Sequence, residues 1–466
     1  MTAANLFTGA SLGGDEINYL LDPITPEAFV REHWARRPLF VKGYAEKFAS
    51  LFDGAAFDRA VRASEQPSVA SGPFSIRASF SRGAEPGQPR GRQRTFDISR
   101  HQVPWMYEAG ATICVDWISE GDPRLRELAH AIKMQLGYPG FVRFNAYRSP
   151  DGCGFNTHFD ARIATTLQIE GSKVWTYSRK PAVDWPVQNA FRMADGSTRY
   201  PEQDFSVTSR FREANEWENG VAMAPSDFED VLLEPGDLLV LPAGTWHSAK
   251  AEGHSLALNL TFEPMNFADL LREMLKKEFE TSSAWRAVPP YLTLPVNAGE
   301  HIPLEMRDYI AQRLAEATKL FTDVPPDGNQ LLSAWGRNVA DEGNSGLKGT
   351  AHLSPAPAGE SPSCVRKDDE LRHPSHQPLL RIKGRCADGA AGLTLYVGAR
   401  EMEVRGDLQP LVECVARHRR FKAGSVLEWP GVALTWEHAR DVLQLLVTNG
   451  FLERAAPSPS LGASHR

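Results

Sequence analysis

His158-Phe-Asp160 sets an imidazole and a carboxylate two residues apart. On an extended strand that spacing puts both side chains on one face, where they can grip one metal ion. A further histidine, with the remaining positions open, would complete the two-histidine, one-carboxylate set of a non-haem Fe(II) centre. The tripeptide alone is equally what a surface histidine beside an aspartate looks like, so its weight rests on its surroundings. Pro235-Gly236-Asp237 makes a turn, Leu238-Leu-Val-Leu241 a buried strand and Pro242 a second break, and His247 follows. His247 is therefore the expected second histidine. His254 is its competitor and is read as a loop residue. Lys173 adds a charge requirement: a lysine buried in an apolar barrel needs an anionic partner. A dicarboxylic co-substrate that chelates iron at one end and pairs with Lys173 at the other would supply it.

These residues need a scaffold of short strands. Phe141–Tyr147 alternates, and Arg162–Ile169 and Lys173–Tyr177 read as two strands of a hairpin around Gly171. Val231–Leu233, Leu238–Leu241 and Ser255–Phe262 follow. Several short strands separated by turns indicate an all-β sandwich or barrel. Before this core, Thr25-Pro26 opens a helix and Pro123–Leu136 is helical by period. Residues 72–95 read as a basic loop and 180–228 as an insertion between strands. After the core the helical period returns, with Phe267, Leu270, Leu271, Met274 and Leu275 forming one apolar stripe. Residues 343–376 are rich in Ser, Pro, Gly and His and read as a linker. A hairpin and two helices within 377–456 suggest a winged-helix-like α+β module, before a short disordered tail at 457–466.

Composition narrows the class without naming a reaction. The chain has 466 residues, 51 Lys+Arg against 58 Asp+Glu, and a formal net charge of −7. A mildly acidic balance speaks against a nucleic-acid coat, and the ordinary hydrophobic content, 42%, against a chain disordered throughout. Five cysteines without a CxxC pair suit a reducing compartment. No secretory signal and no long apolar run is present, so the expectation is a cytoplasmic protein with no membrane partner.

The ordered pattern Asn145-x-Tyr147, His158-x-Asp160, Gln168-x-Glu-Gly171-x-Lys173-x-Trp175, then Gly236-Asp237, Pro242 and His247 resembles the JmjC/cupin-like 2-oxoglutarate oxygenases. Within them it is most similar to the ribosomal oxygenases and the asparaginyl hydroxylase branch. The segment His33-Trp34-Ala-Arg-Arg37-Pro-Leu39 resembles the same group. The resemblance spans roughly residues 25–455. It implies a mainly β core of the double-stranded β-helix (cupin/jelly-roll) class with helical additions and a C-terminal winged-helix-like module. The implied division is a catalytic domain at 1–265, a helical segment at 266–342 able to dimerise, a linker, and the module at 377–456. It further implies that His158, Asp160 and His247 bind Fe(II), with 2-oxoglutarate and O2 as co-substrates. Lys173 would pair with the distal carboxylate of 2-oxoglutarate, with Tyr147, Asn145, Ser255 and Asn259 as further co-substrate contacts. Trp175 and Gln168 are read as structural.

The reaction so implied is hydroxylation of a residue in a protein or peptide, with a ribosomal protein or a ribosomally made precursor peptide as substrate. Nucleic acid is not the expected substrate. N-methyl-lysine demethylation by the same triad, a cupin metalloenzyme acting on a small molecule, and a catalytically dead scaffold are the alternatives. A homodimer is an equal expectation with intramolecular packing of the apolar stripe.

Overall fold

The computed structural model describes residues 16–66, 69, 72–81, 94–192, 198–199, 227–288, 304–323, 329–340, 364–373, 379–385, 391–397, 400–418 and 420–455. Most of the 180–228 insertion, most of the 343–376 linker and the 457–466 tail lie outside these residues. The chain divides into two compact units. One spans Met1–Pro264; the other joins Met265–Asp341 to Gly359–Arg466.

The first unit is built on one antiparallel sheet, the large β core of the cupin/jelly-roll class. Its strands are β1 (Leu39–Val41), β2 (Ser75–Phe80), β3 (Arg94–Asp97), β4 (Thr112–Asp116), β5 (Val142–Ser149), β6 (Gly154–Phe159), β7 (Ile163–Ser178), β8 (Ala190–Arg192), β9 (Thr198–Arg199), β10 (Phe228–Leu233), β11 (Leu238–Leu241) and β12 (His247–Phe262). They run in the order β1-β11-β7-β12-β5-β4-β2-β3, with β10 on β7 and the β6-β8-β9 branch on β12. β12 is the hub: it pairs with β5, β6 and β7 along its length.

The expected hairpin around Gly171 is not present. β7 is one strand of 16 residues that runs straight through Gly171. The partner strand carries the irregularity instead, since the β12 register jumps between Glu252 and Ser255 opposite Ser172 and Gly171. A Cβ at Gly171 would lie 1.7 Å from the His254 carbonyl oxygen, and its φ is +60°. Glycine is therefore required for a close backbone approach at a β-bulge, not for a chain reversal. His254 accordingly lies in β12 and not in a loop. The 72–95 reading is also corrected at its ends, because β2 and the start of β3 fall inside it.

Helices and the N-terminal segment close the core. Thr25 caps the helix Pro26–Glu32 by accepting from the Ala28 N–H, and Asp122 caps Pro123–Leu136. Trp34 packs edge-on against Phe29, Tyr138 and Phe262, tying this segment to β12. Phe144, Leu167, Leu256 and Leu258 are fully buried between the layers. Truncating such a side chain, as in Leu258→Ala, costs about 2–5 kcal/mol. Asp237 explains the Gly-Asp turn: it is fully buried and accepts from the Gly43 N–H at 2.9 Å, the Glu234 N–H at 2.9 Å and Lys42 Nζ at 3.0 Å.

The second unit contains the helices Phe267–Thr281, Ser283–Arg286, Leu304–Asp323 and Asn329–Ala340, then two three-stranded antiparallel sheets. Glu370–Arg372, inside the segment read as linker, is a strand between Arg420–Lys422 and Glu453–Arg454. The hairpin Ala391–Val397 with Arg400–Arg405 and the helices Gln409–Arg417 and Trp436–Thr448 share one core of Leu371, Leu395, Leu411, Val415 and Leu443. No helix among the described residues is long and apolar enough to cross a membrane.

Candidate metal centre

His158 lies near the end of β6 and His247 opens β12, directly opposite it in the ladder. Their ring centroids are 4.2 Å apart. Asp160 follows β6, and its backbone carbonyl accepts from the Gly244 N–H at 2.9 Å, which joins the two ligand-bearing segments. One donor atom from each of His158, Asp160 and His247 lies within 4.8 Å of the others, the only such group of three among the described residues.

The proton positions suit a cation. His158 Nδ1 is 2.7 Å from the Asn156 carbonyl oxygen, and His247 Nδ1 is 2.8 Å from that of Thr245. A carbonyl oxygen only accepts, so each Nδ1 carries a proton, and Nε2 is the atom through which each neutral ring would bind a cation. Burial, reinforced by His158, holds the His247 imidazole down at about 4, so it is neutral near pH 7. Burial pushes the Asp160 carboxyl up, but Arg162, His158 and His247 outweigh it and leave it below the ordinary carboxylate range. Stacking fixes the rings: Trp175 lies over His247 at 5.7 Å and Phe191 over His158 at 5.8 Å.

Lys173 is on β7 two residues before Trp175, hence on the same face and about 7 Å along the strand. It is 2% exposed, and its Nζ donates to Ser149 Oγ at 3.0 Å. Among the described residues no carboxylate lies within ion-pair distance of it. Burial lowers the Lys173 ammonium to about 8. Beside it, burial lifts the Cys114 thiol to about 12, so that thiol stays neutral and gives the ammonium no counter-charge.

The remaining expected contacts divide. Tyr147 packs on Phe155, which packs on His158, and burial raises its phenol. Asn145 is occupied within the protein: its Oδ1 accepts from the Trp117 N–H at 2.9 Å and its Nδ2 donates to Thr261 Oγ1 at 3.2 Å. Ser255 accepts from Gln168 Nε2 at 3.0 Å, and Asn259 Oδ1 accepts from Thr261. His254 bonds to Tyr107 at 2.8 Å and lies outside the cluster. Two residues were missed as neighbours of the site. Trp175, read as structural, backs His247, and its buried indole N–H has no partner among the described residues. Arg162, in the bend between β6 and β7 just after Asp160, pairs with Glu263 at 3.1 Å and supports the Asp160 charge. Its nearness to Asp160 in sequence was the available signal.

Comparison with known proteins follows the same residues. Residues 123–270, which carry all three donors and Lys173, match the family model described as JmjC domain. Over this stretch the chain is similar to JmjC domains. Uncharacterized protein YxbC of Bacillus subtilis is 27% identical over 270 residues, 57% of this chain and 76% of that protein. The bifunctional lysine-specific demethylase and histidyl-hydroxylase NO66 of Drosophila persimilis is 24% identical over 274 residues. That match covers 57% of this chain but only 34% of the longer relative. Among solved structures, the Escherichia coli ribosomal oxygenase YcfD aligns with a TM-score of 0.51 at 14% identity. It covers 93% of this chain and 98% of that one, a likeness of fold.

Proposed function

We propose that the protein is an Fe(II)- and 2-oxoglutarate-dependent oxygenase that hydroxylates a residue in a protein or peptide. One observation carries the reading: a two-histidine, one-carboxylate cluster shares a barrel with a buried lysine that, among the described residues, lacks a carboxylate partner. The donor set suits Fe(II), with His158 and His247 offering Nε2 and Asp160 an oxygen. Lys173 suits the distal carboxylate of 2-oxoglutarate, because a buried ammonium is stabilised by an anion. When bound, iron supplies the chemistry that reduces O2, converts 2-oxoglutarate to succinate and CO2, and inserts one oxygen into a C–H bond.

The chain's own residues do the rest. The Asn156 and Thr245 carbonyls hold both imidazoles in the ligating tautomer, and Trp175 and Phe191 lock their planes. Arg162 keeps Asp160 ionised, and Tyr147 and Phe155 wall the His158 side from water.

The ribosomal oxygenases among the similar proteins make a ribosomal protein the first substrate to test, and a ribosomally made precursor peptide is the second. Ribosomes and such peptides are incubated with enzyme, Fe(II), 2-oxoglutarate and O2, and the digests are read by mass spectrometry. The expected result is one added oxygen on a defined residue, dependent on 2-oxoglutarate. Formaldehyde release from a methyl-lysine peptide would replace hydroxylation with demethylation. Turnover of a free small molecule with no peptide product would overturn the reading.

We further infer a winged-helix-like module at 377–456 that binds a partner or peptide, supported by its hairpin and two helices around one core. We also infer a homodimer through 266–342. Phe267 and Leu314 are exposed there, and Leu271, Leu275, Phe279 and Trp285 line an open apolar groove. A monomer mass by light scattering removes the dimer. A cytoplasmic location accords with the free thiols of Cys114, Cys153, Cys364 and Cys414.

A further inference from the structure

Two tryptophans of the first unit hold a positive φ, Trp117 at +57° and Trp185 at +50°. Bulky L-residues rarely occupy this region, and such outliers cluster at functional sites. Trp117 is accounted for. Its N–H donates to Asn145, and the Arg143 guanidinium lies 4.1 Å over its ring while pairing with Glu263. This is a sandwich of indole, cation and carboxylate. Trp185 has the indole and, next to it in sequence, the exposed carboxylate of Asp184, but no cation. Trp185 is 59% exposed, and among the described residues neither side chain has a partner.

The loop that carries Trp185 is pinned to the metal-ligand turn at both ends. The Ala182 N–H donates at 2.8 Å to the carbonyl of Gly244, whose own N–H donates to the Asp160 carbonyl. At the far end, the Ala161 N–H donates at 2.8 Å to Asn189 Oδ1, and Phe191 then pairs with His158. Gly244 has φ +78°, and a Cβ there would lie 1.9 Å from the Val183 carbonyl oxygen, so the loop is pressed onto this turn. Val183 also packs on the Phe159–Trp246 cluster. Three residues beyond Ala182, the Trp185 backbone is at most about 11 Å from that anchor.

We propose that Trp185 and Asp184 form a docking site beside the metal centre for a basic side chain, arginine or lysine, of the substrate chain. The cation would sit on the indole face with Asp184 alongside, reproducing with a partner what Arg143 does internally on Trp117. The strained backbone is what holds the ring outward. The assignment of this cation to a substrate rests on the protein-oxygenase reading; the binding itself does not.

The test uses the full chain labelled with 5-fluorotryptophan, without iron or 2-oxoglutarate. Among the 11 tryptophan signals, that of Trp185 is assigned by its absence in Trp185→Phe. Acetyl-Gly-Arg-Gly-amide is titrated against the same peptide with citrulline, its neutral isostere. The arginine peptide is expected to move the Trp185 signal saturably, with the Trp117 signal unmoved, and to bind about three- to tenfold better than the citrulline peptide. Asp184→Asn should reduce that preference. An unmoved Trp185 signal, or equal response to both peptides, overturns the proposal. A larger response to acetyl-Gly-Leu-Gly-amide overturns it in favour of an apolar occupant. Because no turnover is measured, failure of the oxygenase reading would leave this result standing, and the reverse also holds.

Discussion

The metal cluster and the buried lysine, two places in the barrel core, carry charge in opposite ways. At one end His158, Asp160 and His247 gather electron pairs, with each imidazole Nδ1 proton donated to a backbone carbonyl and Arg162 keeping the carboxylate ionised. At the other, Lys173 holds a buried ammonium whose company is a serine hydroxyl and a thiol lifted to about 12. The first end is short of a cation and the second is short of an anion. The proposed ligand set would satisfy both: a metal at one end and a chelating dianion reaching the other. Neither end alone argues for this, because isolated buried charges of either sign are costly and persist where something repays them.

The contrast is broken most strongly at the metal end. Asp160→Ala should weaken Fe(II) binding, followed by anaerobic titration, by more than about 100-fold, since loss of an outer partner alone costs 10–100-fold. Retained binding would mean that the triad is not the site. At the opposite end, Lys173→Met should weaken 2-oxoglutarate binding by about 100-fold, the scale of removing one member of a buried charged pair. It should leave metal affinity nearly intact. The same change should also stabilise the ligand-free protein by about 1 kcal/mol in thermal unfolding, because a buried uncompensated cation disappears. Loss of stability instead would show that Lys173 already has its counter-charge.

The pH dependence sharpens the same point. The folded-state value of Lys173 is depressed to about 8, so the free protein carries the charge below pH 8 and loses it above. An anionic ligand favours the charged form. Affinity for 2-oxoglutarate should therefore be flat up to about pH 7.5 and then fall by up to about tenfold per pH unit, with proton uptake on binding at pH 9 by calorimetry. The smallest effect belongs to Ser149→Ala. Loss of the hydroxyl should cost about 1 kcal/mol of stability and move that pH midpoint downward, because the ammonium loses its one neutral partner.

Much of this was legible from the residues. Alternation and turns announced a β core, His158 and Asp160 announced themselves by two-residue spacing, and the Gly236-Asp237 turn pointed to His247. The misread hairpin has a physical cause. Gly171 looks the same in sequence whether it turns a chain or admits a neighbouring carbonyl, and only the facing strand, with its bulge at Glu252–Ser255, decides. Asn145 and Ser255 are polar residues on inward strands, as ligand contacts would be. That their hydrogen bonds end on Trp117, Thr261 and Gln168 depends on partners far away in the chain.

The sequence by itself determined the donor types, the strand periods and the presence of one lysine in a β core, since these follow from side-chain chemistry and local geometry. Only the tertiary structure decided that His158 faces His247 and that Trp175 covers the ring. It alone decided that Lys173 is left without a carboxylate and that Trp185 stands open beside the ligand turn. Those are outcomes of register and burial, set by pairing between strands far apart in sequence.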